Sequence, residues 1–123
     1  MFFKRVYTKS IAQYSYLIGD KDEIVVIDPQ QDINIYLDIA KEKGMKIKKI
    51  LETHRNEDFL VGSSALSDIT GARVFMSGHD DLEYEYGEKM YDGDEFEINS
   101  LKFKALHTPG HTKGPLYVRI VVV

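Results

Sequence analysis

A chain of 123 residues, 43% hydrophobic and 29% charged, has the length and balance of one globular domain with its own core. Its net charge of −4 comes with lysines and arginines spread along the sequence, which argues against a nucleic-acid partner. The absence of cysteine excludes disulfides, thiolate metal sites and a cysteine nucleophile. No run approaches bilayer-spanning length, and the start Met1-Phe2-Phe3-Lys4-Arg5 lacks a secretory apolar region, so the expectation is a cytoplasmic protein with no membrane contact.

Phe2 to Tyr7 alternates weakly and predicts a first strand, Tyr14 to Ile18 a second and Glu23 to Ile27 a third. The short polar link after Ile18 favours an antiparallel hairpin between the second and third. Asp28-Pro29 halts the third strand, because proline brings no amide hydrogen to a ladder. Asp32 is placed to cap a helix over Ile33–Lys43, with Ile33, Tyr36, Leu37 and Ala40 on one face, and Gly44 ends it. Met45 to Leu51 predicts a strand whose lysines, Lys46, Lys48 and Lys49, form a solvated face. Leu60 to Thr70 has helical spacing and stops at Gly71, and Arg73 to Met76 is a short strand. Ser77 to Tyr91 is expected to be a long irregular loop, in which His79 beside Asp80-Asp81 is solvated charge and Tyr84 and Tyr86 shield core edges. Glu95–Ile98 and Leu101–Leu106 predict a hairpin around Asn99-Ser100. Leu116 to Val123 predicts a last strand whose final four residues, Ile120 to Val123, are β-branched and uncharged and which something should cover. Strands and helices in this order predict a mixed sheet with two helices, in the α/β or α+β class.

Two stretches carry chemistry. In Thr53-His54-Arg55-Asn56-Glu57-Asp58-Phe59, a His and an Asp stand four residues apart in a strand-to-helix connection. In His107-Thr108-Pro109-Gly110-His111-Thr112, imidazoles flank a turn whose glycine permits backbone angles other residues avoid. Two neutral imidazoles and a carboxylate with open positions are a usual environment for non-haem Fe(II). Arg55 opposes this mildly, since a cation beside the site disfavours a dication.

These stretches resemble the metallo-β-lactamase fold superfamily. The run from Tyr16-Leu17-Ile18-Gly19 through Val26-Ile27-Asp28-Pro29-Gln30-Gln31-Asp32 to Glu52-Thr53-His54 is most similar to persulfide dioxygenases, cousins of the glyoxalase II hydrolases. The family motif His-x-His-x-Asp-His reads here His54-Arg55-Asn56-Glu57-Asp58-Phe59, with Asn56 and Phe59 in place of two histidines. The resemblance implies one divalent metal, Fe or Zn, held by His54 and His111. Asp58 is implied as a ligand or as the carboxylate that orients the reaction, and Asn56 as a weak amide-oxygen ligand. His107 is expected to be structural. The Asp that serves as third ligand in the dioxygenases has no counterpart before Val123.

The implied fold is the N-terminal half of an αββα sandwich, a mixed sheet with two helices on one face, forming a single domain over residues 1–123. Two functional readings follow. In the first, the chain acts on small thiol derivatives, by persulfide oxidation or by thioester hydrolysis, and acts weakly. In the second, it is a catalytically silent half-domain whose bare inner sheet face, including Ile120 to Val123, is covered by a second copy.

Overall fold

The computed structural model describes residues 1–8, 13–53, 57–77, 87–106 and 117–122. β1 (Phe2–Thr8), β2 (Gln13–Asp20) and β3 (Glu23–Ile27) run antiparallel, one after the next. α1 (Asn34–Lys43) then leads to β4 (Lys46–Glu52), and α2 (Glu57–Thr70) to β5 (Arg73–Ser77) and β6 (Glu88–Met90). These last three strands continue the sheet in parallel, giving six strands in the order β1 to β6. β7 (Glu95–Ile98), β8 (Leu101–Leu106) and β9 (Tyr117–Val122) make a separate antiparallel sheet of three.

The central strands of the larger sheet are buried on both faces, which is why they read as nearly continuous apolar runs. On one face Leu17, Ile24, Val26, Ile47, Ile50 and Val74 pack against Tyr36, Ile39 and Ala40 of α1 and Leu66 of α2. On the other, Ile18, Val25, Ile27, Leu51 and Phe75 meet Phe96, Ile98, Leu101, Phe103 and Ala105 of the smaller sheet. Helices cover one side, as the mixed-sheet, two-helix reading expects, while β7 to β9 form a second sheet that covers the inner face of the central strands, where a bare face was expected.

The sheets are tied at one end through Asp20. Asn99 Nδ2 donates to the Asp20 carbonyl at 2.7 Å, and Ser100 donates to the Asp20 carboxylate from its amide at 2.9 Å and from its hydroxyl. Those Ser100 hydrogen bonds hold the Asp20 carboxyl below the usual carboxylate range.

Several boundaries move. α2 begins at Glu57, three residues before the expected Leu60, so Asp58 belongs to the helix and not to the loop. α1 begins at Asn34; Ile33 precedes it without a side-chain cap, and Asp32 accepts from the Asn34 amide at 3.2 Å. Gly44 ends α1 at φ +67°, as expected. The expected irregular stretch contains β6, a three-residue strand too short to show alternation. Lys49 is not simply solvated: a bulge opposite Ile24 and Val25 turns it toward the smaller sheet. Its Nζ donates to the Glu97 carbonyl at 2.9 Å and lies 5.4 Å from the Phe96 ring centre.

Candidate functional site

The first loop is rooted in a turn that follows β3. Asp28 takes a left-handed backbone conformation, φ +53°, which reverses the chain before Pro29. Its amide donates to the Leu51 carbonyl at 2.8 Å. Its carboxylate accepts from the Thr53 amide at 2.7 Å and from the Thr53 hydroxyl. The last residue before His54 is thereby fixed by charge-assisted hydrogen bonds.

The same turn seats the helix that follows. Tyr36, fully buried on α1, accepts from the Gln30 amide at 2.8 Å and shares a 2.6 Å hydrogen bond with Ser15. The Gln30 carbonyl lies against Gly62 of α2, so close that a Cβ at Gly62 would collide with it and stand 2.9 Å from the Pro29 carbonyl. Glycine is required there for the approach of helix to turn. Only residues 54–56 separate Thr53 from the start of α2. Thr53 on one side and Gly62 of α2 on the other both contact residues 28–30.

Beneath the connection lie polar groups that sequence reading passed over. Glu52 is 2% exposed, and among the described residues its Oε1 has no hydrogen-bond partner; neither do Ser63 Oγ and Gln30 Nε2. Burial pushes the Glu52 carboxyl up to about 7, the Asp28 carboxylate adds to the rise, and the nearby Ser63 hydroxyl works against it without a hydrogen bond of good geometry. The one available signal was a Glu closing an otherwise apolar strand, Ile50-Leu51-Glu52.

The second loop leaves from the neighbouring edge. Leu51, just before Glu52-Thr53, shares a shallow depression with Phe96, Phe103, Ala105 and Val118. Ala105 and Val118 pair across the β8–β9 ladder, each one residue from the strand ends joined by residues 107–116. The connections that carry His54 and His111 thus spring from the same region between the two sheets.

His54, Asn56 and His111 themselves lie outside the described residues, as do His79, Tyr84, Tyr86 and His107. Asp58 stands in the first turn of α2. Among the described residues no three His, Asp or Glu side chains converge as a metal site. The candidate donors in the sequence are His54, His111 and Asp58, with the Asn56 amide, and their chemistry suits a divalent transition metal. The buried polar shell around Glu52 and Asp28 belongs to the support of that loop.

Comparison with known proteins agrees with this architecture. The family model described as the metallo-beta-lactamase superfamily matches residues 11–122. The hydroxyacylglutathione hydrolase of Aeromonas salmonicida is 31% identical over 102 residues, covering 82% of this chain and 40% of that protein. The one from Maricaulis maris is 33% identical over 104 residues, with the same 82% and 40% coverage. Among solved structures, a metallo-beta-lactamase from Staphylococcus aureus superposes with a TM-score of 0.87 at 34% identity, covering 98% of this chain and 38% of that one. ETHE1 from Myxococcus xanthus gives 0.85 at 28%, covering 98% of this chain and 54% of that one. The chain spans about 40% of the length of these curated relatives.

Proposed function

Because this chain belongs to the metallo-beta-lactamase superfamily, we propose that it is built for metal-dependent chemistry on small thiol derivatives, either thioester hydrolysis or persulfide oxidation. The observation that carries the reading is that Thr53, just before His54, is held by the Asp28 carboxylate, while Gly62 of α2 packs against the Gln30 carbonyl of the same turn. A rigid root of this kind aims a short loop, and this loop carries His54. The hydroxyacylglutathione hydrolases among the relatives favour a thioester substrate. The likeness of Tyr16-Leu17-Ile18-Gly19 and Glu52-Thr53-His54 to persulfide dioxygenases, with ETHE1 of Myxococcus xanthus among the structural neighbours, favours a persulfide.

His54 and His111 would hold the metal, with Asp58 as a ligand or as the carboxylate that orients the reacting group. Asn56, where the family places a histidine, offers only a weak amide oxygen and lowers the capacity for a second metal. When bound, a divalent metal supplies Lewis-acid polarisation of a thioester carbonyl or an open position for oxygen. The chain's own contribution is orientation: Asp28 fixes the Thr53 backbone, and α2 carries Asp58 on a helix pinned at Gly62.

Elemental analysis of the purified protein tests this. About one iron or zinc per chain, lost in His54→Ala and in His111→Ala, supports the reading. Oxygen uptake with glutathione persulfide, set against hydrolysis of a glutathione thioester, then separates the two chemistries. A metal-free protein, or metal retained in both variants, overturns it and leaves the catalytically silent half-domain.

A further inference from the structure

Asn99 and Ser100 turn β7 into β8 and bind back to the end of β2 in the other sheet. Asn99 takes a left-handed conformation, φ +46°, which asparagine tolerates better than most side chains. It is exposed, while Asp20 is buried. The Asn99 Nδ2 donates to the Asp20 carbonyl at 2.7 Å and to the Asp22 carboxylate at 3.3 Å. The following amide, that of Ser100, donates to the Asp20 carboxylate at 2.9 Å, and the Ser100 hydroxyl donates to the same oxygen.

An asparagine followed by a small residue is chemically labile in water. The next backbone nitrogen gives up its proton to water or hydroxide and attacks the side-chain carbonyl carbon. A new C–N bond closes a five-membered succinimide, the bond to Nδ2 breaks and ammonia leaves. Water then opens the ring to aspartate, or to isoaspartate, in which the chain runs through the side chain. Only water is consumed.

We propose that Asn99 is a latent deamidation site, held shut by Asp20 and converted when the tie between the two sheets opens. The groups that must react are the groups that are tied. The Ser100 nitrogen has to lose a proton that the Asp20 carboxylate holds, and the anion so formed would face another anion. The Asn99 nitrogen has to depart from two oxygens on the other sheet. Reaction therefore proceeds from the opened turn, at a rate set by how often it opens. The product then keeps the tie from reforming. A carboxylate at position 99 replaces a donor with an anion facing the Asp20 carbonyl and the Asp22 carboxylate. Isoaspartate also lengthens the backbone between Ile98 and Leu101, which pair across the hairpin. Asn34 has no such chemistry, because the branched Ile35 crowds the attacking nitrogen at the start of α1.

Trypsin releases the segment Met90 to Lys102, in which Asn99 is the sole asparagine or glutamine. Its deamidation is read by mass, and isoaspartate by separate elution, after timed incubation of the intact protein in mildly alkaline buffer. The protein should convert at least tenfold more slowly than a synthetic peptide of the same segment. Asp20→Ala should raise the protein's rate at least fivefold, with the fold retained by circular dichroism. If that variant does not fold, Asp20→Asn takes its place and should raise the rate at least threefold. Tyr36→Phe weakens the fold away from this turn and should leave the rate within twofold of the parent. A protein that reacts as fast as the peptide overturns the proposal, as do Asp20 variants no faster than the parent. An equal acceleration in Tyr36→Phe also overturns it, since protection would then come from global stability and not from the tie.

Discussion

Replacing Glu52 by glutamine should stabilise this protein above neutral pH and leave it nearly unchanged in mild acid. Glu52 is 2% exposed and pushed from 4.5 up to about 7, so the folded state holds its proton more tightly than the unfolded chain does. For a carboxyl shifted upward, the stability contribution is fully present below the unfolded value and declines as pH rises from there through the folded value. A rise from 4.5 to about 7 corresponds to about 3 kcal/mol, lost between roughly pH 4.5 and pH 7 and level above that. Glutamine keeps the shape and carries no charge. The Glu52→Gln advantage should therefore grow from near zero at pH 4.5 to about 3 kcal/mol at pH 8, on the order of 10 °C in Tm for a domain of this size. Urea unfolding at a series of pH values reads this directly. A difference independent of pH, or a variant less stable than the parent at pH 8, would refute the assignment of a buried, unpaired carboxyl. Adding Asp28→Asn should shrink the pH-dependent part, because the Asp28 charge contributes to the rise.

Other expectations follow from the same contacts. Tyr36→Phe leaves the Gln30 amide and the Ser15 hydroxyl without their buried partner and should cost about 1–3 kcal/mol in urea unfolding. Gly62→Ala forces α2 off the Gln30 carbonyl and should cost about 1–3 kcal/mol, with any bound metal lost as well, measured by denaturation and elemental analysis on one sample. Asp20→Asn replaces the charged acceptor of the Ser100 hydrogen bonds with a neutral amide. Because the Asp20 carboxyl is held below its usual range, its contribution is present above the unfolded value and lost as pH falls through the folded one. The parent's lead over Asp20→Asn should accordingly disappear in strong acid.

Much of the fold was legible because strand and helix periods were clean. β3, β7 and β8 begin and end where alternation and turn residues place them, and Gly44 and Gly71 stop their helices at φ +67° and +73°. Misplacements have local causes. α2 starts earlier than expected because Glu57-Asp58-Phe59 shows no apolar period of its own, and a first helical turn needs none. Lys49 reads as solvated because a bulge breaks the alternation that would assign its side. The metal donors were legible as residue types only, and His54, Asn56 and His111 lie outside the described residues. What the sequence hid was their support. Asp28 looked like the end of a strand, and its bonds to Thr53 span 25 positions that no local pattern connects.

That support also argues for purpose at this end of the molecule. A left-handed non-glycine residue at Asp28, a buried carboxyl at Glu52, unpaired Ser63 and Gln30 side chains and a steric requirement for glycine at Gly62 each lower stability. All are gathered around residues 28–30 and the two flanks of the 54–56 connection. Elsewhere the larger sheet has apolar central strands, with one bulge opposite Ile24 and Val25 and one left-handed turn residue, Lys21. A chain under selection for folding alone would disperse or lose such costs, since most have stabilising replacements one substitution away. Their concentration beneath the connection that carries His54 is what a loop under positional constraint requires. The same reasoning separates the two tests. Stabilising Glu52→Gln while metal content falls would show a cost retained for the site; stabilising it with metal unchanged, or with none ever bound, would mark an inherited arrangement whose use has lapsed.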